Sequence, residues 1–99
     1  MIVEDDPPLR ELLEEELLDA GYEIIATDNA ESAMQLLREN SVELVISDLR
    51  LPGSSGLELL QGAVELKPSP GFIIITAFGT VEQAVDALKK GADDFLTKP

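Results

Sequence analysis

The chain has 99 residues, 44% hydrophobic and 27% charged, a composition that fits one soluble globular domain with a single core and excludes a disordered tail. Seven basic residues against twenty acidic ones give a net charge of −13, which argues against direct nucleic-acid or anionic-membrane binding and favours cations or basic protein surfaces as partners. With no histidine, zinc sites, Ser-His triads and histidine acid/base catalysis are excluded, so any chemistry runs on carboxylates, hydroxyls and lysine. No apolar run approaches the roughly 18 residues of a membrane helix and no secretory signal opens the chain, so the expected location is cytoplasmic, in keeping with the absence of cysteine.

Met1–Glu4 reads as a first strand. Asp6 then stands where it can cap a helix whose first positions are Pro7 and Pro8, which lose nothing by lacking an N–H there. Leu9, Leu12, Leu13, Leu17 and Ala20 recur at helical spacing, with Glu11, Glu14, Glu15 and Glu16 as a solvated face, and Gly21 marks the stop. Tyr22–Thr27 is the second strand, and Ala30, Ala33, Leu36 and Leu37 carry the second helix. Glu43–Ser47 is the third strand, Ser55 with Glu58 reads as the capping box of a third helix, and Gly71–Thr76 is the fourth strand. Thr80 with Gln83 is another capping box, opening a helix striped by Val81, Ala84, Val85 and Leu88 and ended by Gly91. Asp93–Thr97 is the fifth strand.

This alternation predicts an α/β domain with a parallel sheet, each helix laying its apolar stripe on it. No linker, repeat or low-complexity segment divides it, so residues 1–99 are expected to form one domain. The count β-α-β-α-β-α-β-α-β stops at the fifth strand, and a sheet covered on both faces would want another helix. The chain is therefore expected to be clipped at its C-terminus and by a few residues at its N-terminus.

In an open parallel sheet ligands bind beyond the carboxyl ends of the strands, and the residues at those ends are polar. They are Glu4, Asp5 and Asp6 after the first strand, Asp48 after the third, Thr76 and Ala77 after the fourth, and Lys98 and Pro99 after the fifth. Two carboxylates about 4 Å apart repel by about 4 kcal/mol at an effective dielectric near 20, so such a cluster must be protonated, solvated or filled by a cation. An oxygen-only site suits Mg²⁺. Asp6 is read as a cap, Glu4 and Asp5 as metal ligands. Asp48 precedes a loop, Leu49 to Gly53, with no helix for it to cap. Together with Lys98 and Thr76 these residues supply a nucleophilic carboxylate, a divalent-ion site, a fixed positive charge and a hydroxyl, the parts that phosphoryl transfer needs.

The set Val3-Glu4-Asp5-Asp6, Ser47-Asp48-Leu49-Arg50-Leu51-Pro52-Gly53, Thr76-Ala77 and Lys98-Pro99 resembles the receiver domain of two-component response regulators, over essentially the whole chain. Residues 75–99 look particularly like receivers of the nitrogen regulatory protein C class, which precede an ATPase module and a DNA-binding domain. The resemblance implies a flavodoxin-like doubly wound sheet of five parallel strands in the order 2-1-3-4-5, here lacking the last helix. It implies that Asp48 is the phosphoacceptor, that Asp5 and Asp48 ligate Mg²⁺ directly while Glu4 acts through a water, and that Arg50 lends its backbone carbonyl. Lys98 would pair with the phosphoryl group through a strand end whose Lys98–Pro99 bond is cis, and Thr76 and Phe95 would be the switch pair. Glu4 and Phe95 depart from the common Asp and Tyr, as tolerated variants.

The implied partners are a sensor histidine kinase as phosphohistidine donor, an output domain in the same chain and, on phosphorylation, a second copy. The role is regulatory, with self-catalysed phosphotransfer and autodephosphorylation only. Two other readings compete. A hydrolase with an aspartyl-phosphate intermediate of the haloacid-dehalogenase kind needs a second aspartate two residues past the nucleophile, where this chain has Arg50. A receiver-like platform that is never phosphorylated usually loses part of the acidic pocket or the lysine, and both are retained. A dinucleotide-binding reading fails for want of a G-x-G-x-x-G loop.

Overall fold

Each of the first four short apolar runs is followed by a helix that returns the chain to the start of the sheet, the connection that makes neighbouring strands parallel. The computed structural model describes residues 1–77 and 79–98 and gives β1 (Ile2–Val3), α1 (Pro7–Asp19), β2 (Ala26–Thr27), α2 (Ala30–Glu39), β3 (Leu44–Ser47), α3 (Gly56–Val64), β4 (Gly71–Thr76), α4 (Val81–Lys89) and β5 (Asp94–Thr97). The five strands pair in parallel in the order β2-β1-β3-β4-β5, with Ile2 opposite Ala26 and Ile46, Val45 opposite Phe72, and Ile74 opposite Phe95. This is the expected flavodoxin-like arrangement, and no helix follows β5 among the described residues. None of the described helices is long and apolar enough to cross a membrane. The proposed cis bond at Lys98–Pro99 falls on Pro99, outside the described residues.

The pleat of the strands shows how the two faces are covered. Val3, Val45, Phe72 and Ile74 point to one face and are buried in a common core with Ala30, Ala33 and Leu37 of α2, Leu59, Leu60 and Ala63 of α3, and Ala87 of α4. Along β4, buried Phe72, Ile74 and Thr76 alternate with half-buried Gly71, Ile73 and Ile75. On that second face Leu9, Leu12 and Leu13 of α1 line an open groove of about 460 Å³ with Ile2, Ile46, Ile75 and Leu96.

The structure corrects several local expectations. The stripe of α1 is not buried: Leu9, Leu13 and Leu17 are half-buried, while Leu12 is 51% exposed and Ala20 lies past the helix end. In α4 the predicted stripe points mostly outward, with Val81 81% exposed and Val85 and Leu88 exposed, while Ala84 and Ala87 face inward, where small side chains allow close approach to the sheet. The second strand shrinks to Ala26–Thr27 because the N–H groups of Gly21 and Tyr22 still bond back to the carbonyls of Leu18 and Leu17, and ladder bonding starts only at the Ile25 carbonyl. The other strands lose at most a residue or two at their ends, where assignments ordinarily vary.

The punctuation is otherwise as expected. Pro7 and Pro8 open α1, and Gly21 and Gly91 close α1 and α4 with φ of 93° and 114°, a region open to glycine at little cost. Thr80 and Gln83 form a full capping box, whereas only half of the box expected at Ser55 forms, its hydroxyl accepting from the Glu58 N–H. Asp6 occupies the N-cap position of α1, yet its side chain makes no cap hydrogen bond.

Candidate functional site

The ladder itself carries the polar residues to one rim. The Glu4 N–H donates to the Thr27 carbonyl, Asp48 N–H to Val3 and Lys98 N–H to Thr76, so that each residue sits one step past the carboxyl end of its strand, tied to its neighbour. Glu4 is only 3% exposed and the Asp48 side chain 10%, an unusual depth for carboxylates. Lys98 offsets the burial: its Nζ donates to Glu4 Oε1 at 2.6 Å and to Asp48 Oδ2 at 2.7 Å.

Every further contact holds these groups in one orientation. The Arg50 N–H donates to Asp48 Oδ1 at 3.2 Å, so both oxygens of Asp48 are engaged. The Asp6 N–H donates to Glu4 Oε2 at 3.2 Å, and Arg10 Nη1 donates to the Glu4 main-chain carbonyl at 2.8 Å. Burial raises the pKa of Glu4 above the usual carboxylate range, since the hydrogen bonds from Lys98 and Asp6 only partly counter it and the charge of Asp48 adds to it. Burial alone would lower the pKa of Lys98, but its hydrogen bonds to Asp48 and Glu4 outweigh that and hold it above the ordinary lysine value. The two directions agree physically, because one ammonium shared between two carboxylates is doubly stabilised while each carboxylate has only part of a counter-ion.

Asp5 completes an acidic trio. Ligand oxygens of Glu4, Asp5 and Asp48 all lie within 4.8 Å of one another. At such spacing each pair of charges repels by about 3–4 kcal/mol at an effective dielectric near 20. Three carboxylates face one ammonium, so negative charge remains in excess, and the all-oxygen donor set fits a hard metal ion. The pocket is able to hold one.

The structure thus brings Glu4, Asp5, Asp48 and Lys98 together, with the Arg50 backbone against Asp48. Thr76 is buried at the end of β4, in the same layer, and Phe95 is half-buried on β5. Three contributors escape a reading of side-chain chemistry. Arg10 clamps the strand end from the first turn of α1. Gly56, at the start of α3, packs so closely that a Cβ there would overlap the Asp48 carbonyl oxygen, and its N–H donates to the Leu49 carbonyl at 2.7 Å. Gly79 has the Phe95 ring where its own side chain would stand. For Gly56 the available signal was a glycine immediately after a helix cap, where glycine has no conformational advantage and so marks close approach.

Comparison with known proteins supplies the family and agrees with the fold. The response regulator receiver domain family matches residues 1–99. Response regulator protein FleR of Pseudomonas aeruginosa is 43% identical over 100 residues, which cover all of this chain and 21% of FleR. A CheY-like response regulator receiver domain from Methanospirillum hungatei superposes with a TM-score of 0.94 at 31% identity, covering 99% of this chain and 78% of that one. A response regulator from Burkholderia pseudomallei, solved with a phosphorylated aspartic acid, a calcium ion and citrate, superposes at 0.92 with 30% identity, covering 99% of this chain and 58% of that one. The chain spans about a fifth of the length of the first curated relatives it matches. A family match along residues 1–99, joined to backbone superpositions at TM-scores of 0.92 and 0.94, places this chain in the family of response regulator receiver domains.

Proposed function

We propose that Asp48 accepts a phosphoryl group from a phosphohistidine on a sensor histidine kinase, and that the domain relays this event to an output domain. The observation that carries the reading is a nearly buried Asp48 set beside a fixed ammonium, 2.7 Å away on Lys98, and within 4.8 Å of the carboxylates of Glu4 and Asp5. Glu4, Asp5, Asp48 and the Arg50 backbone carbonyl would hold Mg²⁺, with Glu4 acting through a water. When bound, the ion supplies positive charge to the transferring oxygens.

One oxygen of Asp48 attacks the phosphorus in line; the new O–P bond forms as the P–N bond to the histidine breaks, and the imidazole leaves with the electron pair. Lys98 follows the negative charge, exchanging its contact with the Asp48 oxygen for one with the phosphoryl group, and the Arg50 N–H keeps the carboxyl oriented. The acyl phosphate adds about one negative charge and new acceptor oxygens. Thr76 donates its hydroxyl to one of them and Phe95 turns with it, which alters the surface of α4 and β5. On α4 that surface already exposes Val81, Val85 and Leu88, apolar side chains suited to a partner. Moving such a switch from about 1:99 to 99:1 takes roughly 5.5 kcal/mol, more than one charge-assisted hydrogen bond gives, so contact with the output domain or a second copy completes the shift. Catalysis is confined to the domain's own phosphorylation and dephosphorylation. The output domain belongs to the same chain and, by the class resemblance, is an ATPase joined to a DNA-binding module.

Incubation with acetyl phosphate and Mg²⁺, read by intact mass, tests this. A phosphoryl adduct that requires Mg²⁺ and disappears in Asp48→Asn is expected. No adduct on the wild type, or an undiminished one on Asp48→Asn, would sink the proposal.

A further inference from the structure

The Phe95 ring lies against Gly79. A Cβ built on Gly79 would stand 2.5 Å from Phe95 Cε1, 2.9 Å from Phe95 Cζ and 3.0 Å from Thr76 Cγ2. Real Cβ atoms do not approach carbon that closely, so the hydrogen of Gly79 leaves the berth in which the ring rests beside Thr76. Phe95 is half-buried and packs against the core, and its ring is the movable partner because Thr76 is fully enclosed at the end of β4. Gly79 itself carries no chemistry and lies in the connection from β4 to α4.

We infer that Gly79 is a positioning residue that admits the Phe95 ring to its place beside Thr76, and so sets whether Phe95 can respond to events at Asp48. The inference rests on the proposal that Thr76 and Phe95 form the switch pair, and adds the residue that controls it. Any side chain at position 79 closes the berth and turns the ring toward solvent about its χ1 torsion, the low-cost response for an aromatic at a half-exposed site. The acceptor site is left intact, because Glu4, Asp5, Asp48 and Lys98 are held by strand-end contacts that do not involve Gly79.

The test uses the 99-residue chain labelled with 4-fluorophenylalanine, the Phe95 resonance being assigned with Phe95→Leu. In Gly79→Ala the resting Phe95 resonance is expected to move by more than its linewidth, and its further shift after acetyl phosphate and Mg²⁺ to be lost. Phosphoryl uptake by mass should stay within about twofold of wild type, about 0.4 kcal/mol in barrier terms. An unmoved Phe95 resonance in Gly79→Ala overturns the inference, as does loss of uptake together with the ring shift. If Gly79→Ala does not fold, Gly79→Ala/Phe95→Leu must restore folding by removing the overlapping ring, and a double variant equally unfolded overturns it. Because the resting resonance needs no phosphorylation, a wild type that takes up no phosphoryl group refutes the phosphoacceptor reading without deciding this one.

Discussion

Replacing Lys98 by Met keeps most of its stem and removes the one ammonium seen between Glu4 and Asp48. The Lys98 side chain is only 16% exposed and its partners are deeper, so the pair behaves as a buried one. Breaking a buried pair by deleting one partner costs about 3–5 kcal/mol, since the remaining charge is left without compensation. The carboxylates left behind repel each other by a further ~3 kcal/mol at an effective dielectric near 20. Protonation of Glu4, whose pKa is already raised by burial, limits the loss. A net cost of about 3 kcal/mol at neutral pH is therefore expected without metal.

The sign with pH follows from Glu4. A carboxyl whose folded pKa lies above its unfolded value contributes stability that is complete below the unfolded pKa, about 4.3, and is lost as pH rises through the folded value. Without Lys98 that folded value rises further, so the deficit of Lys98→Met should shrink on acidification from pH 8 to about pH 5. Urea denaturation of both proteins in EDTA at the two pH values measures it. A deficit under about 1 kcal/mol at pH 8, or one that grows toward pH 5, would refute the electrostatic account of the rim.

If a divalent ion and Lys98 draw on the same carboxylates, millimolar Mg²⁺ should raise the urea midpoint of Lys98→Met more than that of the wild type, and EDTA should reverse both. Equal shifts in the two proteins would mean that Lys98 and the metal do not share the site. In the metal-free wild type, the raised pKa of Lys98 gives a contribution complete below about pH 10.4 and lost as pH climbs through the folded value; an alkaline unfolding limit lowered in Lys98→Met checks it. Gly56→Ala should both destabilise the domain by about 1–3 kcal/mol and slow phosphoryl uptake, because the overlap falls on the backbone of Asp48 itself; unchanged uptake kinetics would show that the contact is merely structural. Ile74→Ala, at a fully buried core site, should cost about 2–5 kcal/mol, whereas Val81→Ser on the exposed face of α4 should stay within about 0.5 kcal/mol in thermal or urea unfolding.

What a sequence reveals here depends on whether a feature is periodic, charged or merely absent. The strands β3 and β4 are legible because continuous apolar runs end abruptly in Asp48 and in Thr76, and the rim is legible because strand ends in a parallel sheet share one edge. The outward face of α4 was misread because Val81, Val85 and Leu88 are the larger apolar residues, while Ala84 and Ala87 make the contact. Periodicity names a stripe, and packing decides which neighbouring residues it centres on. Likewise α1 has its leucines at the right spacing but buries none of them fully. The shared bond of Lys98 to Glu4 spans 94 positions and exists only once β1, β3 and β5 are assembled. Gly56 and Gly79 act through the side chain they lack: the place of Gly56 just after a helix cap hints at close approach, while for Gly79 only the distance to Phe95 marks it.

On the proposed function one particular carboxylate, Asp48, becomes an acyl phosphate. Borohydride reduction of the acetyl phosphate-treated domain converts such a mixed anhydride to homoserine, and tandem mass spectrometry of the peptides then reads the position. Homoserine is expected at position 48 alone, and only when Mg²⁺ was present. Reduction at Glu4 or Asp5 instead, or at no residue, would contradict it.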